Sequence, residues 1–328
     1  KEIPPDRLLP DKAYLFFSHV IKGQAPNMPM LARLRELGCT LIDYEVVRDD
    51  LKRRLIFFGR FAGLAGMIDS LWALGQRLRT EGTPSPFSLV EPAHSYSSLD
   101  DAKAAIRRAG VEIENNGLPP GLAPLVVGIA GYGNVAKGVR EILAELPTRE
   151  VPPSELRQLR SSQVTDCVVQ STFKEEHLVR PLDPGQQFEL QDYYDHPKKY
   201  RSDFDQFLPY LTVLMNCNYW DERYPRLVTT DAMKDLYSGF DGPRLRVIGD
   251  LGCDVGGAVE CTLKCTEPGD PVFVFNPQDG SISSGVEGDG PVILAVDILP
   301  SELPRESSEE FSSALGPFLP ALARADYD

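Results

Sequence analysis

The chain has 328 residues, a length that suits two domains and a sizeable buried core. Hydrophobic residues at 42% and charged residues at 25% are ordinary globular values, which excludes a disordered, collagenous or coiled-coil chain. Asp and Glu (48) outnumber Lys and Arg (34), and the resulting net charge of −14 disfavours nucleic-acid or anionic-membrane partners, whose phosphates it repels.

The six cysteines are scattered, so they form no disulfide framework and suggest a reducing compartment. Cys261 and Cys265 are spaced like a ligand pair, but no second pair or nearby histidine completes a site, and no metal is expected. The most apolar long stretch, residues 55–75, carries Arg60 and Asp69 and is broken by glycines, so it reads as no membrane span.

The chain opens on a Pro-rich run, KEIPPDRLLPDK, an unusual start for a domain that leads us to expect residues upstream. Residues 14–18 (YLFFS) and 40–44 (TLIDY) read as strands. Between them, residues 28–37 carry apolar side chains at helical spacing and stop at Gly38, which makes a βαβ unit. Residues 51–58 read as a further strand, and 61–78 as a long helix. Ala62, Gly63, Ala65 and Gly66 on that helix would let another backbone approach closely. A Pro/Ser loop (83–88) precedes an Ala-rich helix (99–109) with Ser98 at its N-cap.

The clearest signal comes next: the apolar run LVVGIA (125–130), then Gly131-Tyr132-Gly133, then a helix from Asn134 to Leu146. Strands follow at 166–169, 211–215, 246–250, 272–275 and 292–298, with an aromatic, charged excursion at 188–207. A helix at 307–315 stops at Gly316-Pro317, and a short last helix runs towards residue 325. The fold class expected is α/β, with two Rossmann-like domains, doubly wound parallel sheets and an active-site cleft between them. Residues 1–104 with 296–328 are assigned to a substrate domain and 105–295 to a dinucleotide-binding domain.

In the turn itself, Gly131 permits a tight bend and Gly133 lets a pyrophosphate approach the backbone. Asn134 and Val135 open the helix, whose N–H groups face the anion, and Ala136 takes the third small position. A purely structural turn, or the similar turn of a methyltransferase, remains open on these residues alone. The fingerprint expects an acid about 20 residues further on for the ribose. That region carries Glu150, while Arg149 could neutralise a 2′-phosphate, which favours NADPH with NADH as the alternative. Asn216 and Asp250, at the ends of later strands, are further cofactor-binding candidates. In the glycine-rich GDLGCDVGG (249–257), Asp254 either faces the nicotinamide or caps a tight turn. His19 closes the run YLFFSH with Lys22 three residues on, an arrangement suited to a general base near neutral pH or simply to a surface histidine. Alone, Lys1, Glu2, Glu45 and Arg54 read as ordinary charged residues.

Several blocks together resemble the lysine–2-oxoglutarate reductases, the saccharopine-forming part of aminoadipic semialdehyde synthase, with saccharopine dehydrogenases and alanine dehydrogenases further off. The blocks are FFSHVIKGQAPNMPML (16–31), LIDYE (41–45), FFGRFAGLAGMID (57–69), GYGNVAKG (131–138), YYDHPKKYRSDF (193–204), NCNYW (216–220), GDLGCDVGGAVECT (249–262) and VDILPSELPRESSEEF (296–311). The resemblance implies Lys1 and His19 as the acid–base pair, and Glu2, Lys22, Glu45, Arg54 and Asp254 as substrate-binding residues. It implies condensation of L-lysine with 2-oxoglutarate to saccharopine, and a saccharopine dehydrogenase either fused or separate. It also implies that the family's first domain, with a substrate-binding arginine, lies upstream of Lys1. The animal enzymes carry an acid at the end of the second Rossmann strand where this chain has Pro152, so the resemblance leaves cofactor choice open. Rival readings are an amino-acid dehydrogenase using ammonia, an NAD-dependent saccharopine dehydrogenase of lysine biosynthesis, and a dinucleotide-binding module without catalysis. A homo-oligomer is compatible with everything above.

Overall fold

A computed structural model describes residues 3–21, 23, 25–159, 164–239 and 243–327. Two compact units emerge: the described residues of 1–58 with 306–328, and residues 59–305.

In the small unit, strand β1 (Ala13–Phe16), helix α1 (Met28–Glu36) and strand β2 (Thr40–Asp43) form the βαβ unit, and the two strands pair in parallel with Phe16 opposite Asp43. Leu8, Met30 and Leu34 make its core. Residues 51–58, expected as a strand, instead follow a tight turn. Asp49 Oδ1 accepts from the N–H groups of Leu51 and Arg53, and Lys52 sits at φ 61°. An Asx-type turn competes here with strand pairing, and only a single bridge, Arg48 to Arg54, forms. Phe311, on the helix Pro304–Leu315, packs its ring 5.2 Å from Tyr44 and 5.5 Å from Phe58.

The large unit begins with α2 (Gly59–Thr80) and α3 (Leu99–Asn116), the latter started by Ser98 Oγ accepting from the Asp101 N–H. Next come β3 (Val126–Ala130), α4 (Asn134–Leu143), β4 (Thr148–Glu150), α5 (Leu156–Leu159) and β5 (Val168–Phe173). The excursion holds α6 (Glu175–Leu178), β6 (Val179–Pro181), α7 (Leu190–Asp195) and β7 (Tyr200–Ser202), in which β6 and β7 pair antiparallel. The remaining elements are β8 (Val213–Asn216), α8 (Thr230–Tyr237), β9 (Val247–Asp250), β10 (Val272–Phe275), β11 (Ile282–Ser284) and β12 (Val292–Leu294).

These strands give an eight-stranded sheet ordered β11-β10-β12-β9-β8-β3-β5-β4, parallel from β12 to β4, with β10 antiparallel to both of its neighbours. Every residue of β3 is buried. Val127 and Ile129 face one core with Leu64, Ile106 and Val139, while Val126 and Ala130 face the other with Phe204 and Leu227. Cover on both faces is what a parallel sheet requires. The small residues of α2 do what their spacing suggested: a Cβ on Gly63 would lie 2.0 Å from the Val135 carbonyl oxygen, and one on Gly138 2.1 Å from the Arg60 carbonyl oxygen, so α2 and α4 cross backbone to backbone. Arg60 and Lys103 both grip Glu141 of α4, at 2.8 and 2.7 Å.

One polar pair is enclosed by this packing. Asp69 of α2 and Glu302 are both buried, and Asp69 Oδ2 and Glu302 Oε1 receive no hydrogen bond from the other described groups. Asp69 Oδ1 accepts from the Ala93 N–H, and His94 Nδ1 lies 3.4 Å from Glu302. Burial pushes both carboxyls up, Glu302 to about 7, so the pair retains a proton near neutral pH. Among the described residues no helix is long and apolar enough to cross a membrane.

Candidate active site

Two clusters gather at the carboxyl ends of parallel strands, where open α/β sheets hold ligands. In the small unit the chain leaves β1 and turns at His19, whose φ of 54° is fixed by Asn27 Nδ2 donating to its carbonyl. Ser18 Oγ donates to Asp43 at the end of β2, and Asp43 Oδ1 accepts from the Glu45 N–H at 2.8 Å. This lattice of short bonds places His19 Nδ1 3.2 Å from Glu45 Oε2, with Phe17 stacked 5.0 Å from the imidazole. Arg54 Nη1 lies 3.9 Å from the other oxygen of Glu45, Oε1. Three sequence candidates, His19, Glu45 and Arg54, therefore meet in one cluster. Among the described residues, the ring nitrogen Nδ1 of His19 meets a carboxylate. Lys22, Lys1 and Glu2 lie outside the described residues.

In the large unit the glycine turn follows β3. Gly131 adopts φ 105°, donates its N–H to the Phe173 carbonyl at 2.9 Å, and leaves no room for a side chain against Asn218 Oδ1. Gly133 is the N-cap of α4, without a side-chain cap, and a Cβ there would meet nothing within 4 Å. Open space above uncapped N–H groups is the cradle a pyrophosphate needs, and the buried Ala136 lets the helix sit close to the sheet. The residues present fit a dinucleotide.

Asn216 and Asp250, two of the cofactor candidates, are fully buried and bonded to each other: Asn216 Nδ2 donates to Asp250 Oδ1 at 2.8 Å, and Thr262 Oγ1 donates to Asp250 Oδ2 at 2.7 Å. Burial raises the Asp250 carboxyl to about 6 against those two hydrogen bonds. Asp254 is exposed on the loop after β9, and its carbonyl accepts from the Gly257 N–H. Arg226 ties that loop down through the carbonyls of Gly256 and Gly257, at 2.9 to 3.2 Å, while stacking 5.6 Å from the centre of the Trp220 ring.

Arg149 and Glu150 lie on β4, at the sheet edge, and the strand beside β3 is β5. Directly after β5 stands Glu175, whose carboxylate accepts from Tyr194 at 2.7 Å and from Tyr132 of the glycine turn at 3.2 Å. Glu175 lines a cavity of about 270 Å³ with Tyr193, Tyr194, Asn218, Tyr219 and Trp220. Glu175 is not among the candidates read from the sequence, where residues 188–207 stand only as an aromatic, charged excursion. Its signal was the density of tyrosines directly downstream of a buried strand.

A buried parallel sheet, an uncapped glycine turn at the point where strand order reverses, and a second βαβ unit define a Rossmann-type two-unit α/β protein. The fold matches that of a solved L-alanine dehydrogenase with a TM-score of 0.54 and 17% identity, covering 97% of this chain and 68% of that one. Among curated proteins, the alpha-aminoadipic semialdehyde synthase of Arabidopsis thaliana is 40% identical over 97% of this chain and 31% of its own length. The mitochondrial synthase of Bos taurus is 34% identical over 99% of this chain and 36% of its own. A saccharopine dehydrogenase [NAD(+), L-lysine-forming] of Emericella nidulans is 25% identical over 97% of this chain and 72% of its own. No protein-family model matches the chain. Over nearly its whole length the chain is a homologue of alpha-aminoadipic semialdehyde synthases, with saccharopine dehydrogenases as more distant relatives. It spans about a third of the length of the synthases it matches.

Proposed function

We propose that the chain is a lysine–2-oxoglutarate reductase unit, which condenses the ε-amine of L-lysine with the keto carbon of 2-oxoglutarate and reduces the product to saccharopine. The observation that carries this reading is the His19–Glu45–Arg54 cluster at the ends of β1 and β2, in a chain homologous to the synthases.

The attacking amine must be neutral, so a base has to take a proton as the carbon–nitrogen bond forms, and an acid has to supply one as water leaves. In this proposal His19 takes the first proton, held in position by its bond to Glu45, and Lys1 supplies the second. Arg54, joined by Lys22, holds substrate carboxylates, which makes a local positive patch within an acidic protein. Glu45 carries one carboxylate between an imidazole and a guanidinium, and so prevents Arg54 from repelling the lysine amine. Asp254 in the large unit and Glu2 in the small one are proposed as further amine contacts. A nicotinamide dinucleotide, when bound at Gly131, Gly133, Asn134, Val135 and Ala136, supplies the hydride. Homologues from cattle and mouse are named mitochondrial, which supports that compartment over the cytoplasm. The synthase and saccharopine dehydrogenase names support a saccharopine dehydrogenase, fused or separate, as partner.

The test follows dinucleotide oxidation by the full-length protein with lysine plus 2-oxoglutarate, and with ammonia replacing lysine. Turnover with lysine alone is expected. Turnover with ammonia would transfer the chain to the simple amino-acid dehydrogenases, and dinucleotide binding with no turnover would leave it a binding module.

A further inference from the structure

The small unit carries a row of aromatic rings that ends on the His19 imidazole. Phe17 stacks on that imidazole with the ring centres 5.0 Å apart and the planes 18° from parallel. Tyr44 packs on Phe17 at 5.8 Å, Phe311 on Tyr44 at 5.2 Å, and Phe58 on Phe311 at 5.5 Å. Each separation lies within the range of about 4.5–7 Å over which aromatic rings attract. Phe311 is the single aromatic residue of its helix, PRESSEEFSSAL, so its ring is what that helix has to offer Tyr44. None of Phe17, Tyr44, Phe58 and Phe311 belongs to the Leu8–Met30–Leu34 core, which takes Tyr14 and Phe16 from β1 instead. The rings thus brace the turns beyond β1 and β2, where the core does not reach.

Tyr44 is the branching point. It opens the short turn Tyr44–Val46, whose next residue is Glu45, and that turn is begun by Asp43 Oδ1 accepting from the Glu45 N–H. A ring pressed against Tyr44 therefore bears on both ends of the His19–Glu45 bond: through Phe17 on the imidazole, and through one peptide link on the carboxylate. From this juxtaposition we infer that Phe311 is a positioning residue for the proposed reaction, holding the His19 imidazole against Glu45 by way of Tyr44 and Phe17. The inference rests on the reading of His19 as the base. Two strands of four residues are a light platform for a proton-transfer group, because a two-stranded sheet is marginal by itself. Asn27 fixes the backbone of His19 but leaves its side-chain torsions to the ring and the carboxylate. A displacement of about 1 Å at a reacting group costs on the order of 100-fold in rate, so a distant ring that prevents it has a kinetic signature.

Phe311→Leu in the full-length protein removes the ring and keeps an apolar side chain, while Phe311→Tyr keeps the ring. Turnover is measured with lysine and 2-oxoglutarate, and dinucleotide affinity by fluorescence. The ring signals of the four histidines are followed by NMR in histidine-labelled protein, with that of His19 assigned by its loss in His19→Gln. The other three, His94, His177 and His196, lie in the large unit and serve as internal controls. Phe311→Leu is expected to lower kcat at least about tenfold, to leave each KM and the dinucleotide affinity within about twofold, and to displace the His19 signal alone. Phe311→Tyr should restore both readings. Phe17→Leu should reproduce the loss, and the double variant should lose little more than either single one, as residues acting in series do. Parent-like turnover in Phe311→Leu would overturn the inference. So would a fall in kcat with the His19 signal unmoved, which marks a structural support and nothing more. If Phe311→Leu fails to fold, Phe17→Leu decides, and an unmoved signal with unchanged turnover overturns the inference there. Absence of lysine-dependent turnover in the unaltered protein would remove the proposed reaction, whereas a His19 signal displaced by Phe311→Leu would leave the coupling of the rings standing.

Discussion

His19 occupies a left-handed backbone conformation that a non-glycine residue adopts at a cost of about 1–2 kcal/mol. Described neighbours hold it there or orient it: Asn27 on its carbonyl, Glu45 on Nδ1 and Phe17 against the ring, while Ser18 anchors the preceding residue to Asp43. A histidine so constrained suits proton transfer, because little reorganisation accompanies it. His19→Gln is expected to lower turnover about 100-fold or more while dinucleotide affinity, measured by fluorescence, stays within about twofold. Unchanged turnover would remove His19 from the chemistry. Gly133→Ala is the converse case. Its Cβ would enter open space, so the melting temperature should hold while dinucleotide binding weakens at least about tenfold. Asp250 supplies a stability readout of its own. Its folded carboxyl, raised to about 6, binds a proton that the unfolded chain has released, so its contribution is fully present below the unfolded value and disappears as pH rises through 6. Asp250→Asn should flatten that part of the pH–stability curve, whose slope is up to about 1.4 kcal/mol per pH unit for one proton.

Helices α2 and α4 show how a run of small residues becomes a mechanical constraint. Gly63 and Gly138 each face a carbonyl oxygen at about 2 Å from where a Cβ would stand, and backbone cannot swing aside as a side chain can. Gly63→Ala is therefore expected to destabilise the large unit by about 1–3 kcal/mol, read as a lower denaturation midpoint with an unchanged slope. The same stretch shows what was legible in the sequence. Small residues at helical spacing, the apolar run before Gly131 and the histidine after YLFFS all carry local signatures, and each stands where it was expected. Residues 51–58 were misread because apolar Leu55 to Phe58 look like a strand, whereas Asp49 upstream had already closed the backbone into a turn. The place of Arg149 and Glu150 in the sheet was not legible for a different reason. Counting residues from Gly133 lands on β4, but hydrogen bonding places β5 beside β3, and pairing between distant strands leaves no mark on spacing. The meeting of His19 with Glu45 belongs to the same class: both are strand-end residues, but only the parallel register of β1 with β2 brings them together.

At the scale of the whole molecule, the titration of buried acids sets the pH at which the fold is firmest. Glu302, Asp69 and Asp250 are all raised by burial, so the stability they contribute is complete at low pH, and that of Asp250 and Glu302 declines through about 6 and about 7. Asp192 and Glu141, lowered by Lys199 and by Arg60 with Lys103, act in the opposite sense and lose their contribution only in acid. The melting temperature of the full-length protein should accordingly be higher near pH 6 than at pH 8, with Glu302→Gln reducing the difference. The net charge of −14 adds a repulsion of the same sign. Because about 0.5 M salt screens surface repulsion and leaves buried groups nearly untouched, a difference that persists in salt belongs to the buried acids, and one that vanishes does not.

The small unit is discontinuous in the chain: Tyr44 and Phe58 wait for Phe311, and the whole of residues 59–305 lies between. On a ribosome, the first 58 residues of this sequence emerge with part of their aromatic packing still untranslated. Elongation through the intervening 247 residues, at about 5–20 residues per second, takes on the order of ten seconds or more, during which the large unit can fold as a continuous segment. The aromatic packing around Tyr44 and Phe58 in the unit that carries His19 and Glu45 is thus completed only once residue 311 has been made, long after residues 1–58 themselves.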